Sequence, residues 1–166
     1  MRVINFFGGP GCGKSTTAAG LFHHMKRSGC KVELVTEYAK DMVYEARANI
    51  MADQLYVLAK QGRRVSRLQG HVDYVITDSP LLLSIIYNQG HHLVDLIAEQ
   101  MFYGYDNVNI LLRRDTEYQE YGRGQTKQEA SSIDVRIRAM LERLMVPYTT
   151  RQGSSNNFHK LMTECL

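Results

Sequence analysis

The sequence has no apolar run approaching the roughly 20 residues needed to cross a bilayer, so no membrane partner is expected. Its cysteines, Cys12, Cys30 and Cys165, are odd in number and lack metal-ligand spacing, so they read as reduced thiols of a cytosolic protein. His23-His24 and His91-His92 are adjacent pairs; neighbours diverge on a helix, so neither is a natural chelate. There is no internal repeat, linker or low-complexity tract, which leaves one domain over residues 1–166. The first expected strand begins at Arg2, leaving no room for a secretory signal ahead of it.

What is present is enough for a core. Apolar residues make up 44% of the 166, close to the globular norm. The net charge of +3 suits anionic ligands without implying nucleic acid. Strand patterns fall at Val3–Phe7, Lys31–Val35, Tyr74–Thr77 and Val108–Leu112, with a weaker one at Val146–Thr150. Helices are expected from Lys14 to Ser28, Ala39 to Leu68, Leu81 to Tyr103 with a break at Gln89-Gly90, Gln128 to Leu144, and from Phe158 onward. In the second of these, Met51, Leu55, Leu58, Gly62 and Val65 are expected on one buried face. Alternating strands and helices argue for an α/β fold, a parallel sheet with helices on both faces.

The most specific local signal is Gly8-Gly9-Pro10-Gly11-Cys12-Gly13-Lys14-Ser15, a match to G-x-x-x-x-G-K-[ST] between an expected strand and an expected helix. Backbone N–H groups from Gly9 to Thr16 would surround a β-phosphate, and the helix N-terminus adds partial positive charge. Lys14 would reach the β- and γ-phosphates, and the Ser15 hydroxyl would bind Mg²⁺. At Cys12 it is mostly the backbone that matters, so redox control is the minor reading.

Three further groups are candidates. Asp78 ends an apolar strand and would hold the metal or a metal-bound water; alternatively it caps the turn before Pro80. Glu37, just past the second strand, could take the proton of an attacking hydroxyl, or could simply favour a helix start. Arg113, Arg114 and Arg123 flank or lie in a polar, glycine-bearing segment of about 113–127. It reads as a mobile lid that brings guanidinium groups onto a transferring phosphoryl group, or as a solvated basic loop.

These segments, GGPGCGKST, VTEYAKD, VDYVITDSP and LLRRDTEYQEYGRGQ, together resemble a P-loop kinase of the nucleoside and nucleotide kinase superfamily over nearly the whole chain. The chain is similar to small phage-type P-loop kinases, which are related to the kinase domain that phosphorylates nicotinamide riboside. The resemblance implies a five-stranded parallel sheet in order 2-3-1-4-5, ATP as donor, closure of an arginine-bearing lid, and adenine held near Gln152, Gly153 and the two serines after them. It also shows a departure. Such kinases often carry an arginine in the pair after strand three, whereas here Ser79-Pro80 follows Asp78, which leaves the acceptor undefined.

Three functions are carried forward. The first is an ATP-dependent kinase for a nucleoside- or nucleotide-type acceptor, with Tyr38 near it. The second is suggested by phage kinases that phosphorylate 5-hydroxymethyluracil within DNA. Lys60, Arg63, Arg64 and Arg67 fall at helical spacing opposite the apolar face and could track a phosphate backbone, although such a stripe is more often a solvated face. The third is a nucleotide-hydrolysing switch or ATPase. A GTPase switch is disfavoured because no Asn-Lys-x-Asp motif is present, and an AAA-type motor because 166 residues leave no room for a helical lid domain. The expected location is the cytoplasm, that of a host if the chain is phage-encoded. The oligomeric state stays open, a homodimer included.

Overall fold

A computed structural model describes residues 1–88, 90–114, 127–153 and 157–166, with the side chains of residues 48 and 127 left aside. In chain order the elements are β1 (Arg2–Phe7), α1 (Lys14–Arg27), β2 (Val32–Val35), α2 (Tyr38–Tyr44), a 3-10 turn (Ala48–Ala52), α3 (Gln54–Ser66), β3 (Tyr74–Thr77), α4 (Leu83–Tyr87), α5 (His92–Tyr103), β4 (Asp106–Arg113), α6 (Lys127–Arg143), β5 (Thr149–Gln152) and α7 (Phe158–Cys165). The five strands form one sheet in the order β2-β3-β1-β4-β5, every neighbouring pair parallel, as the resemblance implied. No helix among the described residues is long and apolar enough to cross a membrane.

Strand β1 lies at the centre and shows why both faces must be covered. Ile4 and Phe6 point to one side, where α1 and α7 bring Leu21, Met25 and Leu161. Phe7 points to the other, against Leu82, Phe102, Ile137 and Leu141. A parallel strand buried on both faces reads as a continuous apolar run, and after the half-buried Arg2 at its start β1 does so except at Asn5. That residue is buried, and its amide donates to Asn109 Oδ1 at 3.1 Å and Asn107 Oδ1 at 2.9 Å on the paired strand. Since the bonds form only in the observed alignment, this polar ladder fixes the β1–β4 register as well as satisfying itself.

Two expected boundaries are wrong. The helix over Ala39–Leu68 is three pieces. Helix α2 stops at Ala46, whose φ of 55° is left-handed, and Arg47 N–H then donates back to Met42 O at 2.8 Å. A new start follows at Asp53, whose carboxylate caps α3 by accepting from Tyr56 N–H at 3.0 Å. The expected apolar face therefore holds only for Leu58, Gly62 and Val65; Leu55 is 49% exposed and Met51 lies in the 3-10 turn. The fifth strand begins at Thr149, not Val146. Met145 turns the chain with φ 51°, Val146 N–H returns to Leu141 O at 2.9 Å, and the buried Val146 side chain closes the end of α6.

Candidate active site

The sheet order reverses at β1, so the carboxyl ends of β1, β3 and β2 open onto one crevice, where open α/β sheets place ligands. The loop after β1 enters it first. Gly13 caps α1 with φ 88°, a conformation glycine adopts without strain, and α1 begins at Lys14. Ser15 and Thr16 stand exposed on that first turn, while Cys12 is buried in the core beneath the loop. Burial pushes the Cys12 thiol up, away from the thiolate form that redox chemistry requires. Lys14 Nζ donates to Gly8 O at 2.7 Å and Gly9 O at 3.1 Å, which holds its charge over the loop.

Asp78, directly after β3, is 4% exposed, and its Oδ1 has no hydrogen-bond partner among the described residues. A buried carboxylate oxygen without a donor is costly unless a cation meets it. With the exposed Ser15 hydroxyl on the adjoining helix turn, the donor set is two hard oxygens, which suits Mg²⁺.

Glu37 lies between β2 and α2 and is half-buried. Desolvation raises its carboxyl above the ordinary value, Lys14 opposes the rise and Asp78 adds to it. The three sequence candidates from three different strand ends thus lie within electrostatic reach of one another. Tyr87, at the end of α4, joins them: its phenol is pushed up to about 12, first by desolvation and then by Glu37.

The backbone around Glu37 is braced by a residue the sequence did not flag. Gln61 on α3 is buried; its Oε1 accepts from Tyr38 N–H at 2.9 Å and its Nε2 donates to Thr36 O at 3.3 Å. One side-chain amide therefore holds both neighbours of Glu37. Its buried position at one turn's spacing from Val57, Leu58 and Val65 was the available signal.

The arginines divide. Arg113 is exposed at the end of β4. Arg114 turns inward, donating to Pro10 O at 2.7 Å and to Asp134 Oδ2 at 2.9 Å. Arg123, like most of the expected lid, lies outside the described residues. Asp134 itself went unnoticed in the sequence; it also accepts from Gly9 N–H at 2.6 Å.

The end of β5 closes the other side of the loop. Gly153 N–H donates to Arg113 O at 3.1 Å, and Thr17 Oγ1 donates to Gly153 O at 3.1 Å. A Cβ on Gly153 would lie 1.9 Å from Cys12 O, so only glycine permits this contact. Beside it is a cleft of about 380 Å³ lined by Thr17, Arg151, Gln152, Asn157 and Lys160, within the size range of small-molecule sites. Gln152 and Gly153 are therefore next to the phosphate loop; the serines expected with them lie outside the described residues.

The basic stripe is corrected at one position. Arg64 is not on a solvated face: it stacks over Tyr38 with 5.1 Å to the ring centroid, donates to Thr36 O at 3.2 Å and pairs with Asp41. Lys60, Arg63 and Arg67 are exposed. Tyr38 is buried, its hydroxyl 3.3 Å from that of Tyr56.

Comparison with known proteins adds two findings. A family model described as an AAA domain matches residues 3–157. Among solved structures, deoxyadenosine kinase from M. mycoides, with products dCMP and a flexible dCDP bound, aligns over 99% of this chain and 97% of its own. The TM-score is 0.55 and the identity 12%, so the likeness is one of fold. No curated protein sequence matches the chain.

Proposed function

The chain belongs to the AAA domain family, matched from residue 3 to residue 157, and from its candidate site we propose that it is a P-loop kinase. It moves the γ-phosphate of Mg-ATP to a hydroxyl or phosphate of a nucleoside- or nucleotide-type acceptor, and residues 1–166 act as one kinase domain. The observation that carries this reading is the partly desolvated Glu37 carboxyl beside Lys14 and Asp78. A carboxyl with a raised pKa, within electrostatic reach of Lys14 and Asp78, suits a base that takes a proton from an acceptor hydroxyl. The fold likeness to a kinase acting on nucleosides supports the same class of acceptor.

In this reading the loop amides from Gly9 to Thr16 and the Lys14 ammonium hold the triphosphate. Magnesium, bound through Ser15 and Asp78, neutralises phosphate charge when present. Gln152 and Gly153 border the adenine. Glu37 holds the acceptor hydroxyl and accepts its proton, with Tyr38 and the Gln61 brace keeping it in place. Arg113 and Arg123 meet the transferring group as the lid closes, and Arg114 keeps the loop in shape behind it.

A base in DNA is the alternative acceptor, favoured by the exposed Lys60, Arg63 and Arg67 on α3. One experiment separates the readings. The protein is incubated with γ-labelled Mg-ATP and a panel of nucleosides, nucleotides and hydroxymethylated duplex DNA. Label on a free nucleoside or nucleotide supports the first reading, and label on duplex the second. Label appearing only as inorganic phosphate would make the protein a hydrolase and remove Glu37 from the role of acceptor base.

A further inference from the structure

The peptide unit joining Gly8 to Gly9 is held at both ends by opposite charges. Its N–H donates to Asp134 Oδ1 at 2.6 Å, and its carbonyl accepts from Lys14 Nζ at 2.7 Å. A carboxylate on the N–H side draws electron density toward the carbonyl oxygen, making it a stronger acceptor for the ammonium. The carboxylate comes from α6, more than a hundred residues away in sequence (separation 125).

The approach is built, not incidental. A Cβ on Gly9 would lie 2.6 Å from Asp134 Oδ1 and 2.8 Å from Ala130 O, so α6 reaches the loop only because residue 9 is glycine. The phosphate-loop pattern itself requires glycine at 8 and 13, not at 9. The second carboxylate oxygen is fixed by Arg114, which also grips Pro10 O. Asp134 thus has one oxygen on the peptide and one on a guanidinium that is anchored to the next residue of the same loop.

We infer that Asp134 is a positioning residue for Lys14, acting through the Gly8–Gly9 amide to fix where the ammonium stands. The inference rests on the proposal that this loop takes Mg-ATP. Withdrawing the carboxylate weakens the carbonyl's hold, and the lysine then spends less time where the β- and γ-phosphates meet it. A residue that merely packed α6 against the loop would affect ATP binding whether or not Lys14 were present.

A double-mutant cycle distinguishes the two, using Mg-ATP binding to the full chain in four forms: wild type, Asp134→Asn, Lys14→Gln and the double variant. Asparagine keeps an oxygen for the Gly9 N–H and nearly the same shape. The asparagine NH2 would meet Arg114 in both backgrounds, so the difference is the readout: Asp134→Asn should weaken binding about tenfold more when Lys14 is present than once Lys14 is Gln, the scale of one charge-assisted hydrogen bond. Equal losses in both backgrounds, or no loss in the first, would overturn the inference. A second measurement does not depend on ATP. Isotope-edited NMR of the protein alone should show both the Gly9 amide proton and the Lys14 Cε–Nζ group shifting in Asp134→Asn. A shift at Gly9 with Lys14 unmoved would also overturn it. If wild type binds no Mg-ATP while both signals move, the positional link stands and the nucleotide reading of the loop fails instead.

Discussion

At the scale of single residues, Glu37 carries the sharpest consequence, because its desolvation has opposite effects on activity and stability. A base must be ionised to accept a proton, so kcat/KM should fall on acidification through a limb above the ordinary carboxyl value of 4.5. Glu37→Gln should lower turnover by about 10²–10⁴-fold while changing ATP affinity little. For stability the sign is reversed. Below the unfolded-state pKa the carboxyl is protonated in both states and costs nothing. As pH rises through the raised folded value, the unfolded state ionises more readily and the folded state is penalised. Removing the charge should therefore raise the melting temperature at neutral pH, with the gain vanishing near about pH 4. Melting curves of both proteins across pH test this, and a gain that persisted in acid would mean that shape and not charge was responsible. The placement of Glu37 and Asp78 just past the ends of β2 and β3 was legible because each follows a strand pattern in the sequence. Asp134 was not: it lies mid-helix in Ser-Ser-Ile-Asp-Val-Arg, and the phosphate-loop amide it holds, that of Gly9, comes from the opposite end of the chain.

At the scale of elements, α3 matters more than its sequence suggested. The apolar period correctly gave Leu58, Gly62 and Val65 as its buried side, but it extended the helix through a left-handed Ala46 that no glycine marks. It also placed Arg64 on a solvated stripe. That failed because Tyr38 and Asp41 on α2 offer a ring face and a carboxylate to the guanidinium, a pairing periodicity cannot see. What α3 contributes to the candidate site is Gln61, which grips the backbone on both sides of Glu37. Gln61→Leu keeps most of the volume but strands Tyr38 N–H and leaves Thr36 O with Arg64 as its donor, so it should cost about 1–3 kcal/mol in denaturant unfolding. It should also lower kcat more than it changes the KM for ATP, because the displaced group lies on the acceptor side. Gln61→Glu retains an oxygen for Tyr38 N–H and should recover part of the stability. Equal effects on kcat and on ATP KM would mean that the brace serves the whole crevice and not Glu37.

At the scale of the whole molecule, the alternation of strands and helices pointed to a parallel sheet and the strand order came with the resemblance to P-loop kinases, whereas the way in which distant segments close on the phosphate loop was legible in neither. A residue of α6 and the residues just after β4 and β5 all reach it: Gly9 is met by Asp134, Pro10 by Arg114 and Cys12 by Gly153, whose carbonyl also accepts from Thr17 on α1. A ligand on the loop should therefore stabilise every layer together and not one element. Thermal unfolding is expected to be a single transition, as the proposed single domain over 1–166 predicts, and Mg-ATP should shift it as a unit. At a hundredfold excess over Kd, linkage gives about 2.7 kcal/mol, which for a chain of this size is about 5–10 °C. Lys14→Ala should shrink the shift while leaving the transition single. Two transitions, only one of them moved by nucleotide, would show that α7 and β5 melt apart from the rest, and that the contacts of Gly153 with the loop do not bind the two sides into one cooperative body.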